Sequence, residues 1–100
     1  MSKYIVFDRD GTLIKHIPYL SNPSQVKLFG DTIKSINLLR ENGFKLFLHT
    51  NQSGISRKYF KIEAVISCNN RLIELLGMGE NIFEEICIAE DYPDKENSYR

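Results

Sequence analysis

Apolar residues fall into three short continuous runs along the chain, separated by two stretches in which they recur every three or four positions. Tyr4-Ile5-Val6-Phe7 is β-rich, unbroken and halted by a turn signal, which predicts a short buried strand over Lys3–Phe7. Phe44-Lys45-Leu46-Phe47-Leu48-His49 and Ile86-Cys87-Ile88-Ala89 predict two more. Between the first two, Gly30-Asp31-Thr32 reads as a helix start with Asp31 as N-cap. Ile33, Ile36, Leu38 and Leu39 would form its inner stripe, and Asn42-Gly43 its stop. Between the second and third, Ile62, Val65, Ile66, Asn69, Leu72, Ile73 and Leu76 keep helical spacing until Gly77 and Gly79. The order is βαβαβ. A strand, a helix and a strand in immediate succession predict a right-handed crossover, so the sheet is expected to be parallel.

Residues 13–28 break this pattern. Pro18, Asn22 and Pro23 fall in a stretch with no period, which predicts a long irregular flap over the sheet's carboxyl edge. A plain surface connection is the alternative. Val26-Lys27-Leu28-Phe29 would pack the segment back onto the core.

Composition narrows the class of protein. One hundred residues allow a single domain at most, and 42% hydrophobic with 26% charged residues is the profile of a globular fold. Thirteen Lys and Arg balance thirteen Asp and Glu, so no global basic field recruits nucleic acid or an acidic membrane surface. No apolar stretch approaches the roughly 18 residues of a spanning helix, and the first residues do not resemble a signal peptide. Cys68 and Cys87 are isolated in sequence and read as reduced, buried thiols. The cytoplasm is the expected compartment.

The chemistry gathers at strand ends. Asp8 and Asp10 stand at the carboxyl end of the first strand, where open α/β sheets keep their ligand crevices. One carboxylate can displace a leaving group from phosphorus to give an aspartyl-phosphate, and a second can protonate the leaving oxygen and then activate water. Phosphoryl transfer chiefly needs positioning and charge neutralisation, which suits Mg²⁺. Gly11 allows a tight turn, and Thr50, Asn51 and Ser53 offer donors to phosphoryl oxygens. By itself an Asp-x-Asp-Gly tetrad is more often a solvated turn. A second donor-rich turn at the end of the adjacent strand favours a phosphate site. The basic cluster Arg57, Lys58 and Lys61 reads as a solvated helix face, although it could attract a phosphorylated sugar.

These residues carry a resemblance. Asp8-x-Asp10-Gly11-Thr12-Leu13 resembles the first motif of the haloacid dehalogenase-like phosphatases. Thr50-Asn51-Gln52-Ser53-Gly54 is similar to their second motif, as found in the branch of histidinol-phosphate phosphatases and D-glycero-D-manno-heptose 1,7-bisphosphate 7-phosphatases. Arg9, Tyr19-Leu20, Ile55-Ser56-Arg57 and Tyr59-Phe60 are similar to that branch too. The resemblance implies a Rossmann-like α/β core, a three-layer sandwich about a parallel sheet. It implies a Mg²⁺-dependent phosphatase acting on a small phosphorylated metabolite, a sugar bisphosphate such as the heptose ahead of histidinol phosphate. By it, Asp8 is the nucleophile, Asp10 the general acid/base and Thr50 the hydroxyl that steadies the phosphoryl group. Asp8 would hold the metal by its side chain and Asp10 by its backbone carbonyl. Arg9, Tyr19, Asn51, Ser53 and Arg100 would face the substrate.

Two departures from the pattern accompany it. The branch commonly carries a zinc loop of cysteines and a histidine, whereas the matching residues 89–99 hold neither, so no zinc is expected. His16 and His49 do not supply the missing ligands. The third-motif lysine and fourth-motif acids would follow Arg100, so the chain reads as the N-terminal part of such a domain. Strand one would then lie at a sheet edge that a second copy of the chain could cover. The reading from another class is a catalytically incomplete module that binds phosphate or a partner.

Overall fold

The computed structural model describes residues 3–52 and 61–89. In chain order they form β1 (Lys3–Asp8), a short 3₁₀ turn (Pro23–Gln25), α1 (Thr32–Glu41), β2 (Phe44–Asn51), α2 (Ile62–Leu76) and β3 (Glu85–Ala89). The three strands make one sheet in the order β1-β2-β3, and both pairings are parallel. The expected α/β class and parallel sheet are present, with β1 at one edge among the described strands.

Register assigns the two faces. Ile5 pairs with Leu46 and Phe7 with Leu48, and these side chains join one core cluster with Ile36 of α1 and Cys68, Leu72 and Leu76 of α2. Both helices therefore bury their apolar sides against the same sheet face. The described elements supply the sheet and one helical layer of the expected three. On the opposite face Tyr4 and Val6 are exposed, and Tyr4 packs its ring against Phe47 with centroids 5.8 Å apart.

Each helix shows a narrower inner stripe than the spacing suggested. In α1, Thr32, Ile36 and Leu39 point inward at i, i+4 and i+7, while Ile33 and Leu38 flank that line and are exposed. Asp31 occupies the N-cap position without a side-chain cap bond, so its backbone carbonyl, accepting from Ser35 N–H at 2.9 Å, begins the helix. In α2, Val65, Cys68, Asn69, Leu72 and Leu76 are buried, and Ile66, about 100° around the helix from Val65, is exposed. Gly77 closes α2 in the left-handed conformation at φ 67°, its N–H bonded to Ile73 and Glu74 carbonyls.

Two other expectations change. Cys87 is exposed, not buried, because register sets it beside His49 on the face that carries no helix among the described residues. The strand ends also move: β1 includes Asp8, and β2 runs through Thr50 and Asn51, which pair with Ile88 and Ala89.

The flap is tied down at several points. Ile14 bridges both Asp10 and Leu28, and Lys15 N–H bonds the Lys27 carbonyl at 2.8 Å, closing the base of the loop. Leu13, Ile14, Leu20 and Val26 are buried in the core cluster. Thr32 Oγ1 donates to the Leu13 carbonyl at 2.9 Å and fastens the flap to the start of α1. Burial of such aliphatic side chains stabilises by about 1.5–3 kcal/mol each, so the segment is part of the fold as well as a cover.

Candidate active site

Alternation along β1 sets the site. Asp8 ends the strand with an exposed side chain, and the next residue, Arg9, turns inward and is completely buried. Arg9 N–H still bonds the His49 carbonyl at 2.9 Å, and its own carbonyl accepts from Leu13 and Ile14, so the chain reverses tightly over the sheet edge. Gly11 makes that reversal possible: its φ of 82° lies in the left-handed region, where a side chain would be strained. Asp10 is thereby folded back over the end of β2.

Donors from three directions converge on the Asp10 carboxylate. Arg9 contributes Nε to Oδ2 and Nη2 to Oδ1, each at 3.2 Å, a side-on bidentate pair. Thr50 Oγ1 donates to Oδ2 at 3.1 Å and Gln52 Nε2 to the same oxygen at 3.3 Å. Gln52 Nε2 also donates to Thr50 Oγ1. Thr50 and Gln52 sit two apart, so both turn to the helix-covered side of the sheet, and both are buried. The remaining Arg9 nitrogen, Nη1, donates to Asn69 Oδ1 of α2 at 2.9 Å.

Beside this knot lies a cavity of about 330 Å³, lined by Arg9, Asp10, Asn51 and Gln52 below and by the flap residues 16–20 above. Tyr19 lines it from a backbone with φ 52°, an uncommon conformation for a side-chain-bearing residue and one frequent at ligand sites. Asp10, Arg9, Tyr19 and Asn51 thus meet at one cavity. Thr50 reaches it through Asp10, and Asp8 lies at the adjoining strand end with its side chain exposed. Ser53 and Arg100 lie outside the described residues, as do Arg57, Lys58 and residues 90–99 of the stretch 89–99, where the expectation of no zinc loop falls.

Arg9, expected to face substrate, has Nε, Nη1 and Nη2 all bonded to Asp10 and Asn69. Sequence reasoning did not single out Gln52 or Asn69. Gln52 was detectable as the same-face neighbour of Thr50, and Asn69 as the polar member of an apolar stripe.

Burial raises the pKa of the Cys68 thiol above its ordinary 9.0; Arg9 opposes the shift and Asp10 adds to it. Among the described residues, no three His, Cys, Asp or Glu side chains group as a ready-made metal cage. Magnesium needs only one or two carboxylates and completes its shell with water and phosphate oxygens. Asp8 leaves its carboxylate exposed for such a role. The Asp10 carboxylate is engaged by Arg9, Thr50 and Gln52, so its share would fall to the backbone carbonyl.

A parallel α/β sheet with paired aspartates at one strand end and a Thr-Asn-Gln segment at the next is the architecture of enzymes that hold ligands at the sheet's carboxyl edge. No family profile matches the chain, but individual proteins do. It is 41% identical over 58 residues to a probable D-glycero-D-manno-heptose-1,7-bisphosphate 7-phosphatase of Thermoplasma volcanium, across 58% of this chain and 40% of that protein. The D-glycero-beta-D-manno-heptose-1,7-bisphosphate 7-phosphatase of Mesorhizobium japonicum is 34% identical over 85 residues, across 85% of this chain and 39% of its own length. The histidine biosynthesis bifunctional protein HisB of Legionella pneumophila is 29% identical over 97 residues, across 94% and 27%.

Among solved structures, one described as a putative HAD-like phosphatase from Mesorhizobium loti superposes with a TM-score of 0.71 at 34% identity, over 83% of this chain and 39% of that one. A D,D-heptose 1,7-bisphosphate phosphatase from B. bronchiseptica, complexed with magnesium and phosphate, shares the fold with a TM-score of 0.85 at 22% identity, over 98% and 55%. The chain belongs to the haloacid dehalogenase-like phosphatases, in the branch of heptose bisphosphate and histidinol-phosphate enzymes. It spans less than half the length of the first two relatives.

Proposed function

We propose that the chain carries the nucleophile and acid/base half of a Mg²⁺-dependent phosphomonoester hydrolase. The observation that supports this most is the convergence of Thr50 and Gln52 on Asp10 at the mouth of a flap-covered cavity. In this reading Asp8, exposed at the strand end, attacks phosphorus and forms an aspartyl-phosphate. Asp10 gives a proton to the leaving oxygen and takes one from water in the second step. Asn51 and Tyr19 contact the substrate from the cavity lining, with Ser53 and Arg100 assigned to the substrate side by resemblance. Asp8 and the Asp10 carbonyl would hold Mg²⁺, which would supply neutralisation of the phosphate charge.

The substrate is a small phosphorylated metabolite, and a heptose 1,7-bisphosphate leads because relatives bearing that name match most strongly. Histidinol phosphate is second, through the HisB relative. The proposal places the protein in the cytoplasm, with neither nucleic acid nor membrane as partner. No described helix is long and apolar enough to cross a membrane.

The test is phosphate release from both substrates with Mg²⁺, comparing wild type with Asp8→Asn. Turnover that disappears in the variant, with a hydroxylamine-labile phosphoprotein trapped from wild type alone, supports the reading. A folded wild-type chain that binds phosphate without turnover would replace it with the binding-module reading.

A further inference from the structure

We propose that Asn69 is a positioning residue for Asp10, acting through Arg9; this deepens the reading in which Asp10 is the acid/base. Asn69 lies on α2, on the line of Val65, Leu72 and Leu76, and is only 3% exposed. An aliphatic side chain would suit that place, and a polar one is costly there unless bonded. Its Oδ1 instead accepts from Arg9 Nη1 at 2.9 Å, across 60 residues of sequence.

The geometry gives that bond a function beyond satisfying Asn69. A guanidinium is a rigid planar fork, so fixing one nitrogen fixes the direction of the others. With Nη1 held by α2, Nε and Nη2 can present only one edge, and Asp10 receives that edge on both oxygens. Arg9 is 0% exposed, so a nitrogen that loses its anchor stays in the interior, away from bulk solvent. Removal of Asn69 leaves Nη1 without its acceptor in the interior and frees the fork to tilt, carrying the carboxylate with it. Thr50 and Gln52 hold only Oδ2, and the Arg9 fork sets the position of Oδ1. Misplacement of a reacting group by about 1 Å can cost on the order of 10²-fold in rate.

Two variants of the full chain test this. Asn69→Leu fills the space and removes the acceptor, whereas Asn69→Asp keeps an isosteric oxygen. The readouts are the ¹⁵Nε resonance and hydrogen-exchange rate of Arg9 and the ¹³Cγ shift of Asp10, neither of which requires turnover. Leucine is expected to move both resonances and speed Arg9 exchange, and aspartate to leave Arg9 protected. With substrate, leucine is expected to lower kcat roughly tenfold at little-changed KM. An Asp10 ¹³Cγ signal that stays put in a folded Asn69→Leu protein would overturn the proposal, whatever the turnover. If the resonances move but wild type hydrolyses nothing, the coupling stands and the phosphatase reading fails.

Discussion

Thr50 Oγ1 lies 3.1 Å from Asp10 Oδ2 and ties together the ends of β2 and β1 across 40 residues of sequence. The hydroxyl is fully buried and also accepts from Gln52, so it works as donor and acceptor at once. Thr50→Val keeps the shape and removes both roles. The expected cost is about 1 kcal/mol of stability and on the order of 10²-fold in turnover. Urea unfolding with a phosphate-release assay measures the two separately, and Thr50→Ser should restore most of each.

Arg9 and Asp10 form an ion pair in which the guanidinium is fully buried and the carboxylate side chain is 20% exposed. Breaking such a pair on one side leaves a charge without its partner. Arg9→Met is expected to destabilise the fold by roughly 3 kcal/mol. Asp10→Asn should be comparably costly, because it strands the more deeply buried cation. The double variant should lose clearly less than the sum of the two. Strict additivity in denaturant titrations would show that the two side chains do not act as a unit.

Most of the scaffold was legible in the chain's periodicity. Three short apolar runs and two amphipathic stretches fix βαβαβ, and strand alternation carries Asp8 outward and Arg9 inward. What escaped was what lies on which flank. Ile33, Leu38 and Ile66 keep helical spacing, yet only residues on the central line of each helix meet the sheet. Cys87 reads as a strand residue of average hydrophobicity, and only register reveals that it lies opposite the face on which the described helices pack. The role of Arg9 escaped for another reason. The resemblance assigns Arg9 to the substrate side and says nothing of its inward partner, Asn69, which is 60 residues away in a helix.

The Thr32 hydroxyl bonds the Leu13 carbonyl at 2.9 Å in a buried setting, fastening α1 to the base of the flap. Thr32→Val removes the shorter of that carbonyl's two bonds and leaves it only the 3.4 Å bond from Phe29 N–H, at an expected cost of about 1 kcal/mol. The residues above that carbonyl, 16–20, form the cavity roof. Faster amide exchange confined to the flap, with helix amides unchanged, would be the signature. Uniform loss of protection would mean that the bond supports the whole fold equally.

The two cysteines should respond differently to reagent and to pH. Cys87 is exposed and should react promptly with a thiol reagent, whereas Cys68 is 0% exposed and should react only on unfolding. Burial holds the Cys68 thiol above its ordinary 9.0, against the pull of Arg9 and with a push from Asp10. As pH rises past 9.0, the unfolded chain therefore releases this proton before the folded one does. The folded state then binds more protons than the unfolded state, so stability falls with rising pH. The contribution is fully present below 9.0 and is lost as pH climbs through the higher folded value. Cys68→Ala should be less stable at neutral pH, because it leaves a small void. Its stability should also decline less steeply above that pH. Urea midpoints for wild type and variant at about pH 7.5 and about pH 10 test this: parallel declines would show that Cys68 has no share in the alkaline loss.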